Sequence, residues 1–239
     1  MEATERAVPA LGEGESIAFA RMFTPAVFSV MRTLKAKNPG DTYYECYLGH
    51  LQKAGPDFFD QYNVAWWYGS QFAPRRVLEV GTRTGISLCQ LLGSYFDLSK
   101  LERAVTVDPY VDGYSNAGIV RMNLRALNIP MDKIEIVDGR SEVVLPRLIQ
   151  EKAEFDYILV DGDHAKAAAL RDLEFAEKLC ATGGVIVFDD ISPDGCDLLD
   201  VWDEWRLAVY ARSPGVAWRF YHDLNGKGTA WAVKGRVGS

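Results

Sequence analysis

The sequence predicts an α/β protein: a doubly wound, mostly parallel seven-stranded sheet with an antiparallel C-terminal hairpin and an N-terminal helical cap. Three observations carry that expectation. Five short apolar runs, "RVLEV", "AVTVD", "IEIVD", "FDYILVD" and "GVIVFD", alternate with helical stretches from Arg76 onward. The runs are apolar on both faces, as parallel strands are when helices cover each side. Finally, "WRFYH" and "GTAWAVK" flank the turn-rich "DLNGKG", which reads as an antiparallel hairpin on the sheet edge.

Taken in order, residues 1–15 read as a flexible tail that carries acids and has no apolar signal-like run. Residues 16–73 are aromatic-rich and helical in patterning, broken at Pro25, "NPGD" and "AGPD", and form the expected cap. Residues 74–239 make the sheet domain, Rossmann-like in its order of elements. Its helices are expected in "GISLCQLLGSYF", "NAGIVRMNLRALN", "SEVVLPRLIQEK" and "HAKAAALRDLEFAEKLCA", the last stopped by "TGG". A further helix is expected after Trp202.

Composition narrows the function. The 239 residues are 48% hydrophobic and 25% charged, an ordinary globular balance. A net charge of −7 without a Lys/Arg run speaks against nucleic acid. The apolar runs are strand-length, so no membrane span is expected. Cys46, Cys89, Cys180 and Cys196 are scattered without a CxxC pair, which points away from zinc and disulfides and toward a cytoplasmic setting. A small-molecule substrate is the expected partner, and self-association into a homo-oligomer stays open.

Ligands of such sheets bind beyond the carboxyl ends of the strands. Here acids gather there: Asp108, Asp138, Asp161 and Asp189 end their runs, and Glu79 lies inside the first. "VLEVGTRTGIS" runs strand, turn, helix, with Gly81 and Gly85 permitting a sharp turn and close ligand approach. It lacks the Lys-Ser/Thr of a phosphate-binding P-loop and the spacing of a dinucleotide fingerprint. Asp108 can accept the hydroxyls of a ribose, and Asp138, followed by "GRSE", can accept from an adenine amino group.

In order and spacing, "LEVGTRTGIS", "VTVDPY", "IVDGRSE", "ILVDGDH" and "GGVIVFDDI" resemble the motifs of class I S-adenosylmethionine-dependent methyltransferases. The resemblance is closest to the metal-dependent O-methyltransferases of catechol, caffeoyl-CoA and macrolide-sugar types, over roughly residues 76–192. It implies S-adenosylmethionine as cofactor. Glu79, Gly81, Thr82, Gly85 and Ser87 would then lie toward its methionine part, Asp108 at the ribose, Asp138 and Ser141 at the adenine, with Asp161 beside the cofactor. It also implies that Asp161, Asp189 and Asp190 hold Mg²⁺ or another divalent cation, a hard oxygen site. The bland alternative is that these acids cap turns and a helix; Asp163 reads as such a cap. His164, three residues after Asp161, corresponds to the base of the macrolide-sugar enzymes, with Lys166 as the alternative. With a cation offsetting the nearby acids, its imidazole would be neutral above roughly pH 6–7 and fit to take a hydroxyl proton. His50 and His222 read as ordinary histidines.

Tyr43, Tyr44, Tyr47, Tyr62, Trp66, Trp67 and Tyr68 either pack a helix on the sheet or line an acceptor pocket, which Trp202 and Trp205 could join. The expected function is thus methylation of a hydroxyl on a small molecule: a vicinal diol, phenol or sugar. Metal-free methyl transfer using His164, a nicotinamide-dependent oxidoreductase and a non-catalytic cofactor-binding module remain alternatives. Some relatives bearing DGDH and DDI are labelled hydroxylases.

Overall fold

The computed structural model describes residues 22, 24–37, 60–113, 115–213 and 215–235. The tail of residues 1–15, Tyr43, Tyr44, Cys46, Tyr47 and His50 lie outside them. Helices α1 (Thr24–Lys37) and α2 (Gln61–Phe72) precede a sheet of seven strands. These are β1 (Arg76–Val80), β2 (Arg103–Asp108), β3 (Ile134–Asp138), β4 (Phe155–Val160), β5 (Cys180–Asp189), β6 (Trp218–Asp223) and β7 (Thr229–Lys234). Between them run α3 (Ile86–Gly93), α4 (Ala117–Ala126), α5 (Ser141–Gln150), α6 (Lys166–Leu179) and α7 (Leu199–Arg212).

The strands stand in the order β3-β2-β1-β4-β5-β7-β6. The first five are parallel, and β7 runs antiparallel to both β5 and β6, as the terminal hairpin pattern predicts. The order reverses between β1 and β4, which opens a crevice beyond their carboxyl ends.

Alternation along the strands builds two cores. Val77, Tyr157, Val185 and Val187 face one side with Val27, Trp67, Leu88 and Leu124, so the helices before β1 share a core with the sheet. Leu78, Ile158, Ile186 and Phe188 face the other with Leu145, Leu173, Trp202 and Trp205. Each such large apolar side chain, once buried, contributes about 1.5–3 kcal/mol.

The aromatic residues divide between packing and pocket. Trp67 meets Trp231 edge-on at 6.5 Å, and Tyr68 meets Tyr157 at 6.1 Å. Trp202 and Trp205 are buried among Phe188, Trp218 and Phe220, so they serve the core and do not join an acceptor pocket. Tyr62 alone of the described cap aromatics reaches the cavity wall.

Two elements differ from their sequence reading. "TGG" does not cap α6, because β5 already begins at Cys180. The glycines fall in an irregularity of the strand, where the register with β4 jumps from Phe155↔Cys180 to Tyr157↔Val185. Gly183, at φ +86°, supplies the left-handed residue such a bulge needs. His164 lies before α6 rather than on its first turn, in a bend where Asp163 Oδ1 accepts the Ala165 N–H at 2.9 Å.

Candidate active site

One cavity of about 1120 Å³ opens beyond the strand ends. Gly81, Thr82, Ser87 and Asp108 line one part of it and Asp161, His164 and Asp190 another, with Ser141 on the wall.

The first part is built from backbone. Gly81 holds φ +86°, and an added Cβ would stand 1.8 Å from the Asp161 carbonyl oxygen, so only glycine lets the two loops meet. Gly85, at φ +74°, starts α3, and a Cβ there would stand 2.9 Å from Val120 Cγ1. Behind this turn Glu79 is buried, with Oε1 accepting the Leu88 N–H at 3.1 Å and Oε2 left without a partner. Burial, reinforced by the charge of Asp161, pushes its carboxyl up to about 8. Asp108 Oδ2 accepts the Arg83 N–H at 2.7 Å and Oδ1 the Tyr110 N–H at 2.6 Å. A carboxylate offers about four lone-pair positions, so two backbone bonds orient it and leave room for a diol. Asp138 pairs in register with Asp108 but is exposed and stands off the cavity wall, where Arg140, Ser141 and Glu142 take its place.

The second part is built from side chains. Ligand oxygens of Asp161, Asp189 and Asp190 lie within 4.8 Å of one another, and Asp189 and Asp190 are buried. Asp190 holds φ +61°, a left-handed conformation at the end of β5. Asp189 is held by the Thr229 hydroxyl on Oδ1 at 2.8 Å and the Gln61 Nε2 on Oδ2 at 2.9 Å; the same Nε2 donates to Asp161 Oδ2 at 2.7 Å. Lys227 Nζ stands 2.7 Å from Asp190 Oδ1, and His164 Nε2 stands 3.0 Å from Asp190 Oδ2 and 3.6 Å from Asp161 Oδ1. Burial raises the Asp189 carboxyl well above the usual range, helped by Asp60 and Asp161. Asp190 goes the other way: burial opposes its charge, yet His164 and Lys227 hold it below that range. Hydrogen bonds to Asp161 and then Asp190 raise His164 from 6.5 to about 10. The imidazole therefore stays protonated at neutral pH unless other positive charge occupies those acids.

A divalent cation fits this donor set. Besides the three carboxylates, Gln61 Oε1 is a buried oxygen without a partner, and turning the amide over would bring it to the cluster. Lys166, the alternative base, is exposed and pairs with Asp200 at 2.6 Å. Cys196, given no role by the sequence, comes within 4.8 Å of ligand atoms of His164 and Asp190.

Sequence reasoning missed Gln61, Lys227 and Thr229. Gln61 follows the Asp60 that opens α2, and Lys227 sits in the "NGKG" turn. Neither position carries a pattern that announces a partner across the fold.

Comparison with known proteins agrees with this fold. Residues 78–191 match the family model described as a methyltransferase domain. No curated protein matches the chain in sequence. The O-methyltransferase of Bacillus cereus in complex with SAH shares 24% identity over 73% of this chain and 78% of its own, with a TM-score of 0.54. TomG of Streptomyces achromogenes, an O-methyltransferase of tomaymycin synthesis solved with SAM, shares 22% over 73% and 79%, with a TM-score of 0.55. A cofactor-bound MTB protein shares 21% over 95% of this chain and all of its own, also at 0.55. The family match marks residues 78–191 as similar to a methyltransferase domain, and the sheet has the fold of these SAM- and SAH-bound O-methyltransferases.

Proposed function

We propose that this chain transfers the methyl group of S-adenosylmethionine to a hydroxyl of a small molecule, such as a vicinal diol, phenol or sugar, at a site that also holds Mg²⁺ or a similar cation. The observation that carries the reading is a shared cavity, in which Asp108 and the Gly81 turn share walls with Asp161, His164 and Asp190. The O-methyltransferase activity of the Bacillus cereus and Streptomyces achromogenes neighbours supports oxygen as the acceptor atom.

Each residue then has a task. Asp108, oriented by two backbone amides, receives the ribose hydroxyls. Thr82 and Ser87 lie toward the methionine part, and Ser141, flanked by Arg140 and Glu142, toward the adenine, the place expected for Asp138. The sulfonium methyl is already electrophilic, so alignment with the acceptor oxygen is the main requirement. Asp161, Asp189 and Asp190 would hold the cation, which supplies chelation of two acceptor oxygens and a lower hydroxyl pKa. With the charge of those acids offset, the pull that raises His164 is relieved, and Nε2 takes the hydroxyl proton as the C–O bond forms and the C–S bond breaks.

The test is turnover on a panel of catechols, sugar diols and simple phenols. Chelation with EDTA should abolish methyl transfer and Mg²⁺ should restore it. His164→Ala should lower turnover by roughly 10²–10⁴-fold while binding cofactor as wild type does. Activity indifferent to EDTA removes the cation from the reading, and near wild-type turnover in His164→Ala removes the base.

A further inference from the structure

Lys227 stands in the turn joining β6 to β7, and its backbone is fixed. Its carbonyl accepts the Ser192 N–H at 2.9 Å, the neighbouring Gly228 carbonyl accepts the Ile191 N–H at 3.1 Å, and the Ser192 hydroxyl donates to the Gly226 carbonyl at 2.5 Å. The turn is thus pinned to the loop that follows the Asp189-Asp190 pair. The half-exposed side chain can swing while its anchor stays put.

The ammonium, 2.7 Å from Asp190 Oδ1 and 4.0 Å from Asp189 Oδ2, points into the carboxylate cluster. The Gln61 amide enters it as well, donating to Asp161 and Asp189 and leaving Oε1 buried and unsatisfied. Every carboxyl group of the cluster therefore meets a donor of the protein itself. A divalent ion binds carboxylate oxygens at about 2.0–2.6 Å. An ammonium and such an ion on the same Asp190 oxygen would be crowded like charges in a half-buried setting, where screening is weak.

We propose that Lys227 is an internal surrogate cation, which competes with the divalent ion for Asp190 and so sets how tightly that ion is held. The inference rests on the reading of the cluster as a cation site. Gln61 is the companion switch: it donates through Nε2 when Lys227 holds the cluster and turns Oε1 inward when Lys227 swings out to solvent. Removing the ion would then leave no bare cluster of charge, since the lysine returns to it.

Mn²⁺ binding by calorimetry, at fixed pH and without cofactor or acceptor, tests this on the full chain. Lys227→Met and Lys227→Gln should each bind Mn²⁺ tighter than wild type by about tenfold or more, while Lys227→Arg stays within a few-fold of wild type. Melting curves confirm that each variant is folded, and the two charge-removing variants guard against an effect of one side chain's shape. Measurable but unchanged or weaker affinity in both overturns the role of Lys227 and leaves the cation site standing. Tightening in Lys227→Arg as large as in Lys227→Met also overturns it, because the charge would then be irrelevant. No Mn²⁺ binding in any of the four proteins overturns the cation site and this inference together.

Discussion

Asp108, Asp161 and Asp190 line one cavity and Glu79 and Asp189 are buried beside them, yet the acids of β1 and β2 and those of β4 and β5 are held in different ways. Glu79 and Asp108 are oriented by backbone N–H groups of Leu88, Arg83 and Tyr110, each close in the chain or on the adjoining turn. Asp161, Asp189 and Asp190 are met by side chains: nearby His164, and from distant segments Gln61 before the sheet and Lys227 and Thr229 of the β6–β7 hairpin. Backbone donors give a rigid receptor whose charge the protein cannot withdraw. Side-chain donors can leave, so the second half suits a guest that must displace them.

The seam between the halves is the place to break the comparison. Gly81→Ala would drive a methyl into the Asp161 carbonyl and force a non-glycine residue to φ +86°. The expected loss is on the order of 5 kcal/mol of stability, from clash and backbone strain together, measured by urea denaturation. A variant as stable as wild type would show that the two loops are not locked together.

The same division decides what the sequence could reveal. The glycine turn, the acid-terminated strands and the alternation of β and α segments are local signals, and all of them reappear in the fold. Asp161, Asp189 and Asp190 were legible because each ends a buried strand. Their partners were not. Gln61 lies 100 residues before Asp161, and Thr229 lies 40 after Asp189; only the reversal of strand order and the antiparallel return of β7 bring them together. The "TGG" signal misled because a left-handed glycine serves a bulge as well as a helix stop. Trp202 and Trp205 could not be assigned to core or pocket from patterning, since both environments take aromatic side chains.

The backbone-held half can be sharpened through Glu79. Its folded-state pKa of about 8 lies above the ordinary 4.5, so the folded protein holds a proton that the unfolded chain releases. Without cofactor, stability should therefore fall as pH rises from about 5 to 8, by ~3–4 kcal/mol in total. Glu79→Gln should be flatter over that window, in denaturation curves taken at successive pH values. Parallel curves for the two proteins would mean that Glu79 is already ionised in the fold.

The central claim is that the β1–β2 half is the cofactor receptor, and calorimetry of S-adenosylmethionine binding to wild type and Asp108→Ala tests it most directly. Asp108 contributes a charged acceptor for the ribose hydroxyls, so its removal should weaken binding by about 1.5–3 kcal/mol, roughly ten- to a hundredfold. Equal affinity in a folded Asp108→Ala protein would contradict the account and move the cofactor elsewhere.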